Sequence, residues 1–216
     1  MFLFTNENID KIKKVVYTTE PIPQKKKDKI EYAQNEGLFK DFDYSRYKVK
    51  PFPKNASMST YSELNYLSDL PEDIDFVKKH DDYEPVFQEI CKEYNLEYPK
   101  ELVNDLIEAS AGIILDLKYH YNRPRPKQLA KEYGMNIGGI ELESMNTPSY
   151  PSGHSTQGIL IGKVLQTKLP ITTDAFLQAG KRISYSRNLA RAHYPSDSRM
   201  GEELGDALFK FIRERI

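Results

Sequence analysis

Three cationic or titratable residues stand where apolar ones are expected. Lys118 follows Ile107, Ala111 and Ile114 on one helical face. Arg187 follows Phe176, Gly180 and Ile183 on another, and His154 opens the stripe Gly158, Ile161, Leu165. Burying a lone charge is costly unless it is paired. Taken singly, each residue reads as a side chain snorkelling from a helix end. Taken together, they predict helix ends that converge on one pocket, where two cations and a histidine call for an anion such as phosphate. The run Tyr150-Pro-Ser-Gly-His154 fits that reading. Small residues before a helix start leave backbone N–H groups and the positive end of the helix dipole for an anion. The plainer alternative is a helix cap made by Ser152.

His193 and Asp197 are four residues apart, a spacing that on a continuous helix suggests a metal pair. Pro195 lies between them and breaks such a helix, and neither His80 nor His120 has a matching partner. The better reading has Asp197 bonding one ring nitrogen of His193. That fixes the tautomer and frees the other nitrogen as a nucleophile. Asp197 would also serve as an N-terminal cap of the last helix, and the two roles are compatible.

These residues need helices to carry them, and helical periodicity dominates from about Tyr83 onward. Helices are predicted at roughly Glu84–Tyr94, Glu101–Tyr121, His154 to before Pro170, Asp174–Ala192, and Asp197 to the C-terminus. Pro124 and Pro126 end the second, and a linker with Gly134, Gly138 and Gly139 follows it. In the last, Leu204, Ala207, Leu208, Phe211 and Ile212 form one apolar stripe. Ser57 to Ser59 would cap a short helix near Tyr61–Leu67, and Leu70–Asp82 reads as an acidic turn. No β-rich run occurs, so the predicted class is all-α. Residues 1–56, with Pro21, Pro23, Pro51 and Pro53, read as an irregular arm, with room for one short helix, on a single helical domain spanning 57–216.

The bulk composition excludes several functions. The chain has 216 residues, which suits one full-sized core, and a mean hydropathy of -0.65. No apolar run approaches the ~20 residues of a membrane span. The start, Met1-Phe-Leu-Phe, has no basic segment leading into an apolar one, so the expectation is no export signal and a cytoplasmic protein. A single cysteine, Cys91, rules out an intrachain disulfide. A net charge of -1 argues against a global field for nucleic acid, and the run Lys25-Lys26-Lys27 with Lys29 reads as a solvated loop.

The combination resembles the phosphatidic acid phosphatase type 2 superfamily. Its soluble members include class A non-specific acid phosphatases, and its relatives include vanadium haloperoxidases. Three motifs carry the resemblance: Lys118, six residues, then Arg125-Pro126; Pro151-Ser152-Gly153-His154; and Ser186-Arg187, five residues, His193, three residues, Asp197. All match in order and spacing without a substitution. The resemblance implies a compact helical bundle of the acid phosphatase and haloperoxidase type. It implies a metal-independent acid phosphatase acting on phosphate monoesters, with nucleotides among the candidates, through a phosphohistidine.

By that carry-over His193 attacks phosphorus, Asp197 orients it, and His154 protonates the leaving oxygen. Lys118, Arg125, Ser152, the Gly153 N–H and Arg187 bind the phosphoryl oxygens. No cofactor is expected, and vanadate should inhibit as a phosphate mimic. The expected partner is a small phosphorylated substrate, with no membrane insertion and no nucleic acid. Oligomeric state stays open, a homo-oligomer included. The alternatives are a vanadate-dependent haloperoxidase and a non-catalytic phosphate-ligand binding protein. Arg123 reads as a surface salt bridge, or else a second phosphate contact. Tyr119, Tyr121 and Tyr150 read as core or rim packing.

Overall fold

Alternating apolar stripes and well-placed caps drive the chain into helices. The computed structural model describes residues 5–169 and 173–215, so Met1–Phe4 and Pro170 lie outside the described residues. Among the described residues ten α-helices follow in order: α1 Asn6–Lys13, α2 Gln24–Asn35, α3 Met58–Asp69, α4 Ile74–Lys79, α5 Tyr83–Glu93, α6 Lys100–Tyr121, α7 Pro126–Glu132, α8 Gly153–Lys168, α9 Ala175–Leu189 and α10 Pro195–Ile212. Short 3-10 turns occupy Ser45–Tyr47 and Glu143–Met145, and no strand occurs among the described residues. The fold is all-α.

The centre is α8, which packs against α9, α10 and α6. Leu106, Ile113 and Leu117 of α6 meet Leu160, Ile161, Val164 and Leu165 of α8. Phe176 and Ile183 of α9 and Leu204, Leu208 and Ile212 of α10 complete that core. Each fully buried side chain of this size contributes about 1.5–3 kcal/mol. Glycines let the axes approach: a Cβ on Gly180 would lie 2.3 Å from the Gly158 carbonyl oxygen, so α8 and α9 touch backbone to backbone. The consequence is functional. Close packing of α8 on α9 brings His154 and Arg187 to the same end of the bundle.

Several elements differ from the sequence reading. The lysine run is not a loop but the first half of α2, which packs along α6. The contact is close enough that a Cβ on Gly112 would strike the Lys29 carbonyl oxygen. The expected arm therefore carries two helices. Part of the Leu70–Asp82 segment is α4, whose start Asp73 caps by accepting from the Phe76 N–H at 2.9 Å. Pro126 ends nothing. It occupies the first turn of α7, where a missing N–H costs no bond, and the linker read after α6 begins with that helix. Pro195 opens α10 for the same reason. Helix α6 terminates at Asn122, in the left-handed region at φ 48°. Ser57 caps α3 as expected, its hydroxyl accepting from the Thr60 N–H at 3.2 Å.

Candidate active site

The α9–α10 junction presents His193, and the first turn of α10 presents Asp197. The Asp197 carboxylate performs both tasks expected of it. One oxygen accepts from the Tyr194 N–H at 3.0 Å, closing the start of α10, and the same oxygen meets His193 Nδ1 at 3.3 Å. His193 Nε2 lies 2.9 Å from Arg125 Nη1. A guanidinium only donates, so Nε2 must carry the lone pair and Nδ1 the proton that points at Asp197. The imidazole thus has one tautomer, with its lone-pair nitrogen facing a cation.

Lys118 comes from the last turn of α6 and Arg125 from the residue that caps α7. Both are buried, at 4% and 3% exposure, which demands compensation. The segment between α7 and α8, with Ala192 from the α9–α10 junction, supplies it through backbone carbonyls. Arg125 donates to the carbonyls of Thr147 (2.8 Å), Ser144 (3.2 Å) and Ala192 (2.8 Å), and Lys118 to Pro148 (2.6 Å). The intervening carbonyls of Met145 and Asn146 accept from Tyr17 at 3.2 Å and Lys26 at 2.5 Å. Five consecutive carbonyls, 144 to 148, therefore each hold a donor side chain. Neutral acceptors keep the cations buried without cancelling their charge.

Arg187, at the end of α9, is fully buried. Its Nε donates to Ser186 Oγ at 3.1 Å and its Nη1 to the Asp81 carboxylate at 2.6 Å. Its Nη2 is buried and has no hydrogen-bond partner within the protein. Leaving a charged donor unsatisfied costs more than the ~1–3 kcal/mol typical of a neutral group, so this nitrogen marks a seat for an acceptor. His154, in the first turn of α8, stacks on Tyr83 at 5.2 Å and directs Nε2 to the Asp81 carbonyl at 3.1 Å. Gly153 starts α8 with its Cα toward Lys118; a Cβ there would lie 3.9 Å from Lys118 Cε. Ser152 takes its capping role: its hydroxyl accepts from the Ser155 N–H at 3.3 Å and from the Ser155 hydroxyl at 2.9 Å.

The electrostatics follow from burial among cations. Burial, reinforced by Arg125, pushes His193 well below the usual histidine range. Burial, with Arg187 next, pushes His154 down to about 3. Lys118 is lowered well below its ordinary value by burial and then by Arg125, and Arg125 falls to about 10 by burial. Burial would raise the Asp197 carboxyl. Arg123 and the hydrogen bonds from His193 and Ser149 outweigh it and hold the group below the ordinary carboxylate range. Each imidazole responds to Lys118 and Arg125 as well as to its nearest neighbour, so the five residues share one electrostatic site.

Arg123 departs from its reading as a surface ion pair or phosphate contact. It is 1% exposed, donates to Asp197 at 2.5 Å and Ser196 Oγ at 2.8 Å, and pairs with Glu63 at 3.2 Å. The plane of its guanidinium is flanked by the rings of Tyr194 at 3.8 Å and Phe52 at 4.7 Å. Ser149, which donates to Asp197, was also missed, as were Glu63 and Asp81. Ser149 stands beside the Tyr150-to-His154 run, but a serine before a tyrosine carries no signal of its own. Tyr150 is core, with its hydroxyl donating to the Lys50 carbonyl at 3.0 Å and its ring edge-on to Tyr121. Tyr119 lies under Lys26. His80 and His120 bond the Phe76 and Lys48 carbonyls and stay outside the site.

Helix ends converging on three buried cations and two imidazoles, one of them anchored by a buried carboxylate, define a class: helical-bundle proteins built round a buried cationic cluster. A family model described as the PAP2 superfamily matches residues 106–213, half of the chain, and the chain belongs to that superfamily. Membership implies a phosphatase-like phosphoesterase with a phosphorylated substrate. Among the described residues no helix is long and apolar enough to cross a membrane.

Proposed function

We propose that this protein is a metal-independent acid phosphatase that hydrolyses phosphate monoesters through a phosphohistidine at His193, with nucleotides among its candidate substrates. The observation that carries this reading is the fixed His193 tautomer: Nδ1 on Asp197, and a lone pair on Nε2 directed at Arg125. In the first step Nε2 attacks phosphorus while the bond from phosphorus to the ester oxygen breaks. That oxygen takes a proton from His154 and leaves as the alcohol. In the second step His154 takes a proton from water, whose oxygen attacks phosphorus. The bond from phosphorus to nitrogen breaks, releasing inorganic phosphate.

Lys118, Arg125 and Arg187 bind the equatorial oxygens, where charge accumulates in phosphoryl transfer. Arg187 offers its unpartnered Nη2, and Ser152 with the Gly153 N–H completes the cage at the start of α8. The depressed histidines support an acid optimum. Both are neutral in the free protein near pH 7, which suits His193 as nucleophile but not His154 as acid. A bound phosphate dianion favours protonated His154, so binding takes up a proton and strengthens as pH falls. Residues 57–216 would form the catalytic body, with 1–56 as an arm that helps build the site through Tyr17 and Lys26.

A panel of phosphate esters incubated with the purified chain in EDTA tests the reading. Phosphate release should be inhibited by vanadate and abolished in His193→Ala, and the wild type should yield an acid-labile phosphoenzyme. Undiminished release by His193→Ala would overturn it. Vanadate-dependent bromination by peroxide, with no phosphate release, would favour the haloperoxidase alternative.

A further inference from the structure

One residue outside the three motifs touches both Arg187, proposed to bind a phosphoryl oxygen, and His154, proposed to protonate the leaving oxygen. The turn between α4 and α5, His80-Asp81-Asp82, reaches into the site from the solvent side. Asp81 is 41% exposed in its side chain, yet its carboxylate bonds fully buried Arg187 at 2.6 Å. The same oxygen stands 3.8 Å from His154 Nε2, and the Asp81 carbonyl accepts from that nitrogen at 3.1 Å. The turn is anchored on every side. His80 stacks on Phe76 at 4.0 Å, Asp82 caps α5 by accepting from the Glu84 N–H, and Tyr83 stacks on His154 while its hydroxyl donates to Gln157 at 2.7 Å. A surface cavity lined by Phe76, His80, Glu93 and Arg182 opens beside the start of this turn.

We propose that Asp81 is a specificity-determining residue that rejects esters whose leaving group carries negative charge. The proposal rests on the phosphatase reading and names the substrate class within it. A phosphoryl oxygen approaching Arg187 meets a carboxylate already on Nη1 and must displace it or share the guanidinium through Nη2. The ester oxygen must come to His154, which puts the leaving group beside the Asp81 carboxylate. Alcohols with neutral or hydroxyl-bearing bodies tolerate that neighbour and can donate to it. A second phosphate or a carboxylate is repelled. A like charge about 6 Å away in a partly solvated site is worth one to two powers of ten in affinity. The cage is therefore cationic where the transferred group sits and anionic where the leaving group exits.

The test uses the full chain as wild type, Asp81→Asn and Asp81→Ala, with phenyl phosphate for a neutral leaving group and pyrophosphate for an anionic one. In Asp81→Asn the ratio of kcat/KM for phenyl phosphate over pyrophosphate should fall by roughly tenfold to a hundredfold, with the gain concentrated on pyrophosphate. Asp81→Ala should behave alike. A ratio unchanged within about twofold would overturn the proposal, as would an equal loss on both substrates, the mark of a residue that merely orients Arg187 and His154. Calorimetric Kd values for phenylphosphonate and methylenediphosphonate read the same selectivity without turnover. If wild type binds both phosphonates but hydrolyses neither phenyl phosphate nor pyrophosphate, the phosphatase reading fails while the Kd ratio still judges Asp81. If the ratio stays fixed in an active enzyme, only the Asp81 proposal fails.

Discussion

Replacing Arg123 with alanine should destabilise the protein more than any change at a residue that touches substrate. Its guanidinium is nearly inaccessible and serves two carboxylates, Asp197 at 2.5 Å and Glu63 at 3.2 Å, which are themselves buried. Asp197 keeps its bonds from Ser149, Tyr194 N–H and His193, and Glu63 keeps those from Ser196. Neither keeps a buried counter-ion; Arg199, the other cation near Glu63, is 3.5 Å away and largely exposed. Removing one member of a buried pair typically costs about 3–5 kcal/mol. In a chain of this length that corresponds to a fall in Tm of roughly 6–20 °C. Arg123→Lys keeps the charge but loses the fork that spans both carboxylates, so an intermediate loss is expected. Thermal and urea unfolding measure both variants. Activity supplies a second readout. Without Arg123 the Asp197 carboxyl rises toward the ordinary range, so the acid limb of kcat should move to higher pH. An alanine variant melting within about 2 °C of wild type, with its pH profile unmoved, would refute the assignment of Arg123 as the anchor of Asp197.

The remaining expectations concern the cage and its protons. Asp197→Asn should lower kcat by about 10³–10⁴-fold, because the amide can present the wrong group to His193 Nδ1; steady-state kinetics with a matched Tm isolates that effect. Lys118→Ala and Arg187→Ala should each raise the barrier by about 3 kcal/mol, as losing one oxyanion donor does, read as kcat/KM at fixed pH. Acidification should destabilise the ligand-free protein. The folded pKa values of His193 and His154 lie below the unfolded value, so their neutral forms contribute stability that is present above pH ~6.5 and lost below it. The slope is at most about 1.4 kcal/mol per pH unit for each histidine. Asp197, also depressed, adds its loss only below about pH 4. Melts between pH 8 and 4.5 should show the decline and its reversal by phosphate, and a flat profile would contradict the buried neutral imidazoles.

The sequence made the buried polar cluster legible wherever a side chain broke an apolar stripe. Lys118, His154 and Arg187 were visible because Ile114, Ile161 and Ile183 fix which face is buried, and Pro195 separated the His193–Asp197 pair from a metal motif. The misreadings have separate causes. Proline was taken as a terminator at Pro126, although the first helical turn accepts it as readily as the residue after a helix. Arg123 was assigned to the surface because its partners, Glu63 and Phe52, lie some 60 to 70 residues earlier in the chain. The lysine run of α2 looked like solvated loop because its helix has only one buried residue, Ala33, and its packing depends on Gly112 across the interface. Asp81 sat in a stretch whose acidity suggested nothing beyond solvation.

Carbonyl support of the cage leaves no trace in the sequence, and it explains how the cage can exist. Lys118, Arg125 and Arg187 are buried near one another; besides burial, Arg125 lowers Lys118 and Arg187 lowers Arg125. Carboxylate partners would remove that repulsion but would also cancel the field an oxyanion needs. The carbonyls of 144 to 148 act as dipoles instead: they satisfy the donors of Lys118 and Arg125 while the net charge stays positive. Full carboxylates are confined to two places. Asp197 lies behind His193, where its charge is already matched by Arg123, and Asp81 lies at the solvent side, on a turn and on a guanidinium that still has a free nitrogen. The backbone path from α7 to α8 therefore matters as much as the motifs that flank it. Its contribution depends on where its carbonyls point rather than on which side chains it carries.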